Sequence, residues 1–391
     1  MRCWRKKKMQ EQAVRLLTNL LGIYSPSGKE EDIANFLAGE MKKLGFQVGV
    51  DAIGNVIGVV GEGEPTIFLC GHMDTVAGYV PLRVEEGKIY ARGAVDAKGP
   101  LAAMVMAAAQ VAKEPGFKGK VLVASVVEEE ATSRGVRYLI HEGIEADYAI
   151  FGEPSGVENI TIGYKGQIQL KVTLKTQTGH SSTPWLYENA LEKAYEVWEQ
   201  IKNSYPPVEK QESPFQAVTA CLTKISGGRA NSVIPFESEI HIDIRIPPQF
   251  TSTLVFQEIQ KVVAQYQANN PKVGVKATVE DSVEPFEVNK SSPLVHALSA
   301  SVRKVLSKPA TLLRKTGTGD MNILGKAMNL LIVTYGPGDS HLDHTLDEHI
   351  IISEYLDSIQ IYKETIIKLS ELYNKKKNGN SNGNWNENVS P

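Results

Sequence analysis

Thr66-Ile67-Phe68-Leu69-Cys70-Gly71-His72-Met73-Asp74-Thr75-Val76 is followed closely by Arg92-Gly93-Ala94-Val95-Asp96-Ala97-Lys98-Gly99. In the first stretch an apolar run ends in a His and an Asp two residues apart. Residues i and i+2 of a strand point to one face, so His72 and Asp74 share a side. An imidazole and a carboxylate together at a strand's end suit a metal ligand and the group that orients it. Asp96, in a Gly-rich turn, would bring a second carboxylate to the same place. A lone strand-end His is more often a histidine with one satisfied hydrogen bond, so the rest of the chain has to decide.

At 391 residues the chain exceeds what one core usually supports, which predicts two domains. Its 42% apolar and 22% charged residues are those of an ordinary soluble globular protein. A net charge of -3 argues against bulk nucleic-acid binding. Three scattered cysteines, Cys3, Cys70 and Cys221, make no disulfide framework and fit a reducing, cytoplasmic compartment. No apolar run approaches the roughly 20 residues of a membrane span. Met1 to Lys8 is basic without an apolar core behind it, so no secretion signal is expected, and Met9 is read as an alternative start.

Elements alternate through the first half. Helices are expected at Gln10 to Leu21, at Glu30 to Lys43 with Ser27 as its cap, and at the Ala-rich stretch Pro100 to Ala112. Strands are expected at Gln47 to Asp51, Val56 to Val60, Thr66 to Leu69, Val121 to Val127 and Tyr148 to Phe151, with a helix from Arg134 to His141. This is an α/β sheet covered on both faces. After Gly163 the rhythm changes to a strand Gln167 to Lys175, a helix Glu188 to Lys202, strands Val218 to Ile225 and Glu237 to Ile246, a helix Thr253 to Ala268 and a strand Val273 to Val279. That β-α-β-β-α-β order is the ferredoxin-like arrangement, a self-contained α+β unit set into the larger domain. The expected division is 9–164 with 285–373 for the outer domain, 165–284 for the insert, and a disordered, Asn- and Lys-rich tail from 374 to 391.

Four apolar strands end in chemistry-bearing residues: His72, the run Glu128-Glu129-Glu130, Glu153, and the loop holding His344. Carboxylates cannot prolong a buried strand without partners, and ligands bind at the C-terminal edge of open α/β sheets. Two His among several carboxylates form an N/O donor set suited to Zn²⁺, Co²⁺ or Mn²⁺. Asp96 as a bridge, with one His and one acid per ion, would hold two ions about 3.5–4 Å apart, with Glu129 as general base. There is no His-Glu-x-x-His, no phosphate loop and no Gly-x-Ser-x-Gly elbow.

These residues, in this order, resemble the M20 metallopeptidase family over nearly the whole chain. The resemblance implies a di-metal catalytic domain with an inserted dimerisation domain. It makes His72, Asp96, Glu130, Glu153 and His344 the ligands of two divalent ions, Zn²⁺ or Co²⁺, with Asp74 orienting His72 and Glu129 as proton shuttle. The family usually writes the acidic run Asp-Glu-Glu, and here Glu128 stands first. Its last ligand often lies in His-x-Pro-x-Glu. Here the stretch is His344-Thr345-Leu346-Asp347-Glu348, which leaves His341 as the competing choice. In similar proteins the His at position 180 reaches the partner subunit's site and steadies the tetrahedral oxyanion, so a homodimer is implied. Asn231 and Arg245 match groups that bind the substrate's polar end and carboxylate. Lys165-Gly166, Arg314 to Asn322 and Tyr335 to Gly338 look most like the branch acting on lysine or ornithine derivatives. That branch includes the hydrolase releasing lysine or ornithine from a small acidic amino-group carrier protein in lysine and arginine biosynthesis. Asp320 would pair with a basic substrate side chain or serve a turn. The competing readings are a deacetylase of free acetyl-ornithine or acetyl-lysine, a broad dipeptidase or carboxypeptidase, and a scaffold without activity.

Overall fold

In the computed structural model, which describes residues 2–229 and 231–379, the apolar run around Phe68 is a central strand of a mixed sheet. The chain divides into two units, Gly163–Glu287 with Arg314–Asn322 forming the second. In the first unit the strand order is Gln47–Val50, Val56–Glu62, Gly119–Val126, Thr66–His72, Tyr148–Phe151, Ile332–Thr334, Asn159–Tyr164. Gly119–Val126, Thr66–His72, Tyr148–Phe151 and Ile332–Thr334 run parallel, and the flanking strands are antiparallel. Phe68, Leu69 and Cys70 are wholly buried, as a parallel strand covered on both faces requires.

The helix Lys98–Val111 is buried along its whole length. Alanines and methionines let it lie close against the sheet and the helices Arg2–Leu21 and Ile352–Gly379. A Cβ at Gly99 would meet the carbonyl oxygen of Ala94 at 2.4 Å, so only glycine fits where this helix leaves the Asp96 turn. No helix among the described residues is long and apolar enough to cross a membrane.

The second unit is a four-stranded antiparallel sheet in the order Thr219–Gly227, Glu237–Ile246, Gly166–Lys175, Gly274–Val283. With the helices Ala190–Lys202 and Ser252–Asn269 on one face, this is the ferredoxin-like arrangement. Alternation along Gly166–Lys175 sends Ile168, Leu170, Val172 and Leu174 into the core under the helices and the polar residues to the other face.

Three boundaries differ from the sequence reading. Residues 314–322 belong with the second unit, because Arg314 pairs with Glu287 and Asn322 donates to the carbonyls of Lys165 and Glu284. The last helix continues past 374 to Gly379, since Asn374 donates to Ser370 O and Lys377 pairs with Glu64. The rest of the expected tail, 380–391, lies outside the described residues. The first helix begins at Arg2 rather than after Met9.

Candidate metal centre

The four parallel strands end at one edge of the sheet of the first unit, and the loops leaving them carry the expected residues. His72 Nδ1 donates to the carbonyl oxygen of Asp74 at 2.9 Å, so Nε2 faces the acids. Asp96 Oδ1 lies 3.0 Å from His72 Nε2, and its Oδ2 lies 3.0 Å from His344 Nε2. His344 Nε2 is also 3.0 Å from Glu130 Oε1, and His72 Nε2 is 3.4 Å from Glu153 Oε1. Donor atoms of His72, Asp96 and Glu130 all fall within 4.8 Å of one another, as do those of His72, Glu129 and Glu153. Asp96 thus offers one oxygen to each imidazole, the disposition of a bridging carboxylate. His344 lies in this cluster, while His341 points outward and pairs with Asp339.

Glu128 leaves the cluster. Its backbone has φ of +56°, and its carboxylate accepts from Arg134 Nη1 at 2.8 Å and Thr132 Oγ1 at 2.7 Å. This turn aims the next two acids inward. Asp74 holds their backbones: its carboxylate accepts the N–H groups of Glu129 and Glu130, each at 3.1 Å, and the hydroxyl of Ser27 at 2.7 Å. Ser27 therefore serves Asp74 and does not cap the following helix, whose N-cap is Glu30. Asp74 touches His72 mainly through its carbonyl, its carboxylate lying 3.4 Å from Nδ1.

Sequence reasoning assigned no role to Glu348 and Arg92. Glu348 is fully buried, and its Oε1 accepts from Val95 N at 3.0 Å and Asp96 N at 3.2 Å. Its Oε2 pairs with Arg92 Nη1 at 2.6 Å, and Arg92 also reaches the carbonyl of His344. One ion pair thus ties the Asp96 turn to the His344 loop. The available signal was the Glu four residues after His344.

Four carboxylates and two imidazoles in so small a space carry excess negative charge, costly to bury without cations. Burial, with Asp96 adding, pushes Glu130 up to about 7. The hydrogen bond to Asp96 lifts His344 to about 9. Burial opposes charge on His72, but Glu153, Asp74 and Asp96 outweigh it and raise its pKa. Burial likewise opposes the charge of Asp96, yet His344 and His72 hold it well below the usual carboxylate range. Protons therefore occupy the metal-free cluster near neutral pH, and the donor set fits divalent ions that would replace them. Adding Zn²⁺ or Co²⁺ to the metal-free protein at pH 7.5 is expected to release protons, from His344 and from the fraction of Glu130 still protonated. Apparent affinity should accordingly climb as pH rises toward about 9. Calorimetric titrations in buffers of different ionisation enthalpy measure this, and binding without proton release would contradict it.

The second unit holds the remaining candidates. The His180 and Asn231 loops pair within it, through a bridge between His180 and Val233 and a hydrogen bond from Ser181 N to Ser232 O. His180 Nδ1 lies 2.8 Å from Ser182 Oγ. Arg245 donates to Asp243 Oδ2 and to Thr318 Oγ1, and Asp320 is wholly buried.

A parallel-stranded sheet with a His–carboxylate cluster at its C-terminal edge is the setting of a metal-dependent hydrolase. The chain belongs to peptidase family M20/M25/M40, whose model matches residues 68–368. A Pyrococcus furiosus protein provisionally named LysW-lysine/LysW-ornithine hydrolase is 37% identical over 360 residues, 92% of this chain and 98% of its own. The Saccharolobus solfataricus protein named LysW-lysine/LysW-ornithine hydrolase is 32% identical over 372 residues, 95% of this chain and 99% of its own. Among solved structures, a tripeptidase of Staphylococcus aureus superposes with a TM-score of 0.79 at 23% identity, covering 92% of this chain and 98% of that one. A dinuclear metal binding peptidase of Bacillus subtilis reaches 0.69 at 12% identity, covering 93% and 99%.

Proposed function

We propose that this chain is a metal-dependent amide hydrolase that frees lysine or ornithine from LysW, an amino-group carrier protein. The observation that carries the hydrolase part is the meeting of His72, Asp96, Glu129, Glu130, Glu153 and His344 at one sheet edge. The carrier part rests on the names of full-length relatives. Two divalent ions held by His72, Asp96, Glu130, Glu153 and His344, with Asp96 shared, would supply Lewis acidity and an acidified water. Glu129 takes the proton of the attacking water and returns it to the leaving amine, so its carboxylate has to alternate between charged and neutral. Asp74 keeps Glu129 and Glu130 in register through their N–H groups. His180 steadies the oxyanion in a homodimer, and Asn231, Arg245 and Asp320 receive the amino-acid part of the substrate. The activity belongs to lysine and arginine biosynthesis inside the cell.

The test is an assay of the metal-loaded protein on LysW-linked lysine, LysW-linked ornithine, acetyl-ornithine, acetyl-lysine and simple dipeptides. Release of free lysine or ornithine from the carrier, well above turnover of the other compounds, is the expected result. Faster cleavage of the acetylated compounds or of dipeptides would replace the carrier with a free substrate. No cleavage of any, with metal bound, would leave a scaffold.

A further inference from the structure

The strand Gly119–Val126 ends just before the acidic run, and the N–H groups of the four residues after it are each taken up by a side chain from elsewhere in the first unit. Val127 N donates to Asn55 Oδ1 at 3.0 Å, and Glu128 N donates to Glu30 Oε1 at 3.1 Å. Glu129 N and Glu130 N donate to the two oxygens of Asp74. Asp74 carries half of this hold, and Asn55 and Glu30 carry the other half.

Both of these acceptors are themselves fixed. Asn55 is fully buried, and its Nδ2 donates to Asp51 Oδ2 at 2.8 Å and to Gly135 O at 3.1 Å, which turns Oδ1 toward Val127. Glu30 is almost wholly buried, and the same Oε1 also accepts from Gly28 N at 3.0 Å. Residues 25–27 run beside 73–75, through Ser27 N to Thr75 O, Thr75 N to Ser25 O and Ser25 Oγ to Met73 O. One oxygen of Glu30 therefore joins the stretch that braces Asp74 to the stretch that carries the acids.

This bond falls where the loop needs it most. Glu128 has φ of +56°, a left-handed conformation that residues with a Cβ disfavour and that persists only where the surroundings hold it. Glu30 holds its N–H, and Thr132 N and Ser133 N donate to its carbonyl at 3.1 and 2.8 Å. The reversal at Glu128 sets the direction in which the next side chain, Glu129, leaves the backbone.

We propose that Glu30 is a positioning residue for Glu129: it fixes the reversed backbone at Glu128, and through it the aim of the carboxylate that moves the proton. The proton transfer rests on the hydrolase reading, whereas the hold on the loop does not. Two measurements on the whole protein test it, hydrogen exchange by mass spectrometry over peptides covering 127–130, and steady-state kinetics on LysW-linked lysine. In wild type the amides of 127–130 are expected to be protected although they lie outside any helix or strand. Glu30→Met keeps the length of the side chain and loses the acceptor, and its 127–130 amides should exchange about tenfold or more faster, with the strand Thr66–His72 unchanged. Its kcat should fall about 10- to 100-fold, with KM within about twofold of wild type. Glu30→Gln keeps an acceptor oxygen without the charge and should recover most of both. In a Glu129→Gln background Glu30→Met should lower kcat by less than about twofold further, since the group it aims is already gone.

Unprotected 127–130 amides in wild type, wild-type exchange in Glu30→Met, equal losses in Glu30→Gln and Glu30→Met, or an undiminished loss of kcat in the Glu129→Gln background would each overturn the assignment. Wild-type cleavage with unchanged kcat in Glu30→Met removes the positioning role alone. Faster exchange in Glu30→Met, beside a wild type that cleaves nothing, upholds the hold on the loop and removes the hydrolase reading alone.

Discussion

Glu129→Gln is expected to lower turnover of LysW-linked lysine by about 100- to 10,000-fold while metal content stays at the wild-type level. Gln has the shape of Glu but cannot hold a proton and pass it on. The backbone at this position is fixed independently of the side chain, because Glu129 N donates to Asp74 Oδ1 at 3.1 Å. The variant therefore keeps the geometry of its neighbours and loses only the carboxylate's charge and basicity. Steady-state kinetics together with elemental analysis of the metal check it. A variant with near-wild-type turnover would remove Glu129 from the proton transfer. Glu128→Gln is the matched control: its carboxylate is engaged by Arg134 and Thr132, and turnover should stay within about threefold of wild type.

Glu348→Ala is expected to destabilise the first unit by about 3–5 kcal/mol. The substitution leaves the Arg92 guanidinium, almost wholly buried, without its counter-ion. It also strips the acceptor from the N–H groups of Val95 and Asp96. Those amides set the direction of the Asp96 carboxylate, and Arg92 in turn reaches the carbonyl of His344. Metal affinity should therefore fall as well, by about 10- to 100-fold, the usual cost of losing a group that orients ligands. Urea unfolding of the metal-free protein reads the first effect, and metal titration of the folded variant reads the second. The double variant Arg92→Met with Glu348→Met should recover part of the stability, because no charge is left buried alone, and little of the metal affinity. Wild-type stability in Glu348→Ala would show that the pair does not anchor the turn.

The parallel sheet was legible because its strands are continuous apolar runs bounded by turns. The ferredoxin-like unit was legible because its strands alternate strictly, as Gly166–Lys175 does. Short pieces were not. Arg83–Glu85, Lys88–Tyr90 and His349–Ile351 form a small sheet from strands of three residues, too brief to show a period. The segment 314–322 reads locally as part of the outer domain, and only the bond from Arg314 to Glu287 and those from Asn322 assign it to the other unit.

By itself the sequence determined which residue types stand where strands end, and so the identity of a His–carboxylate cluster and the two-unit plan. Period and spacing are local properties, and both survive in one dimension. The tertiary structure decided which atoms meet. It placed His344 rather than His341 beside Asp96, turned Glu128 outward to Arg134, moved Ser27 from a helix cap to Asp74, and drew Glu348 under the turn that carries Asp96. Each of these is a choice among donors and acceptors far apart in the chain, settled by which buried polar groups can be satisfied together.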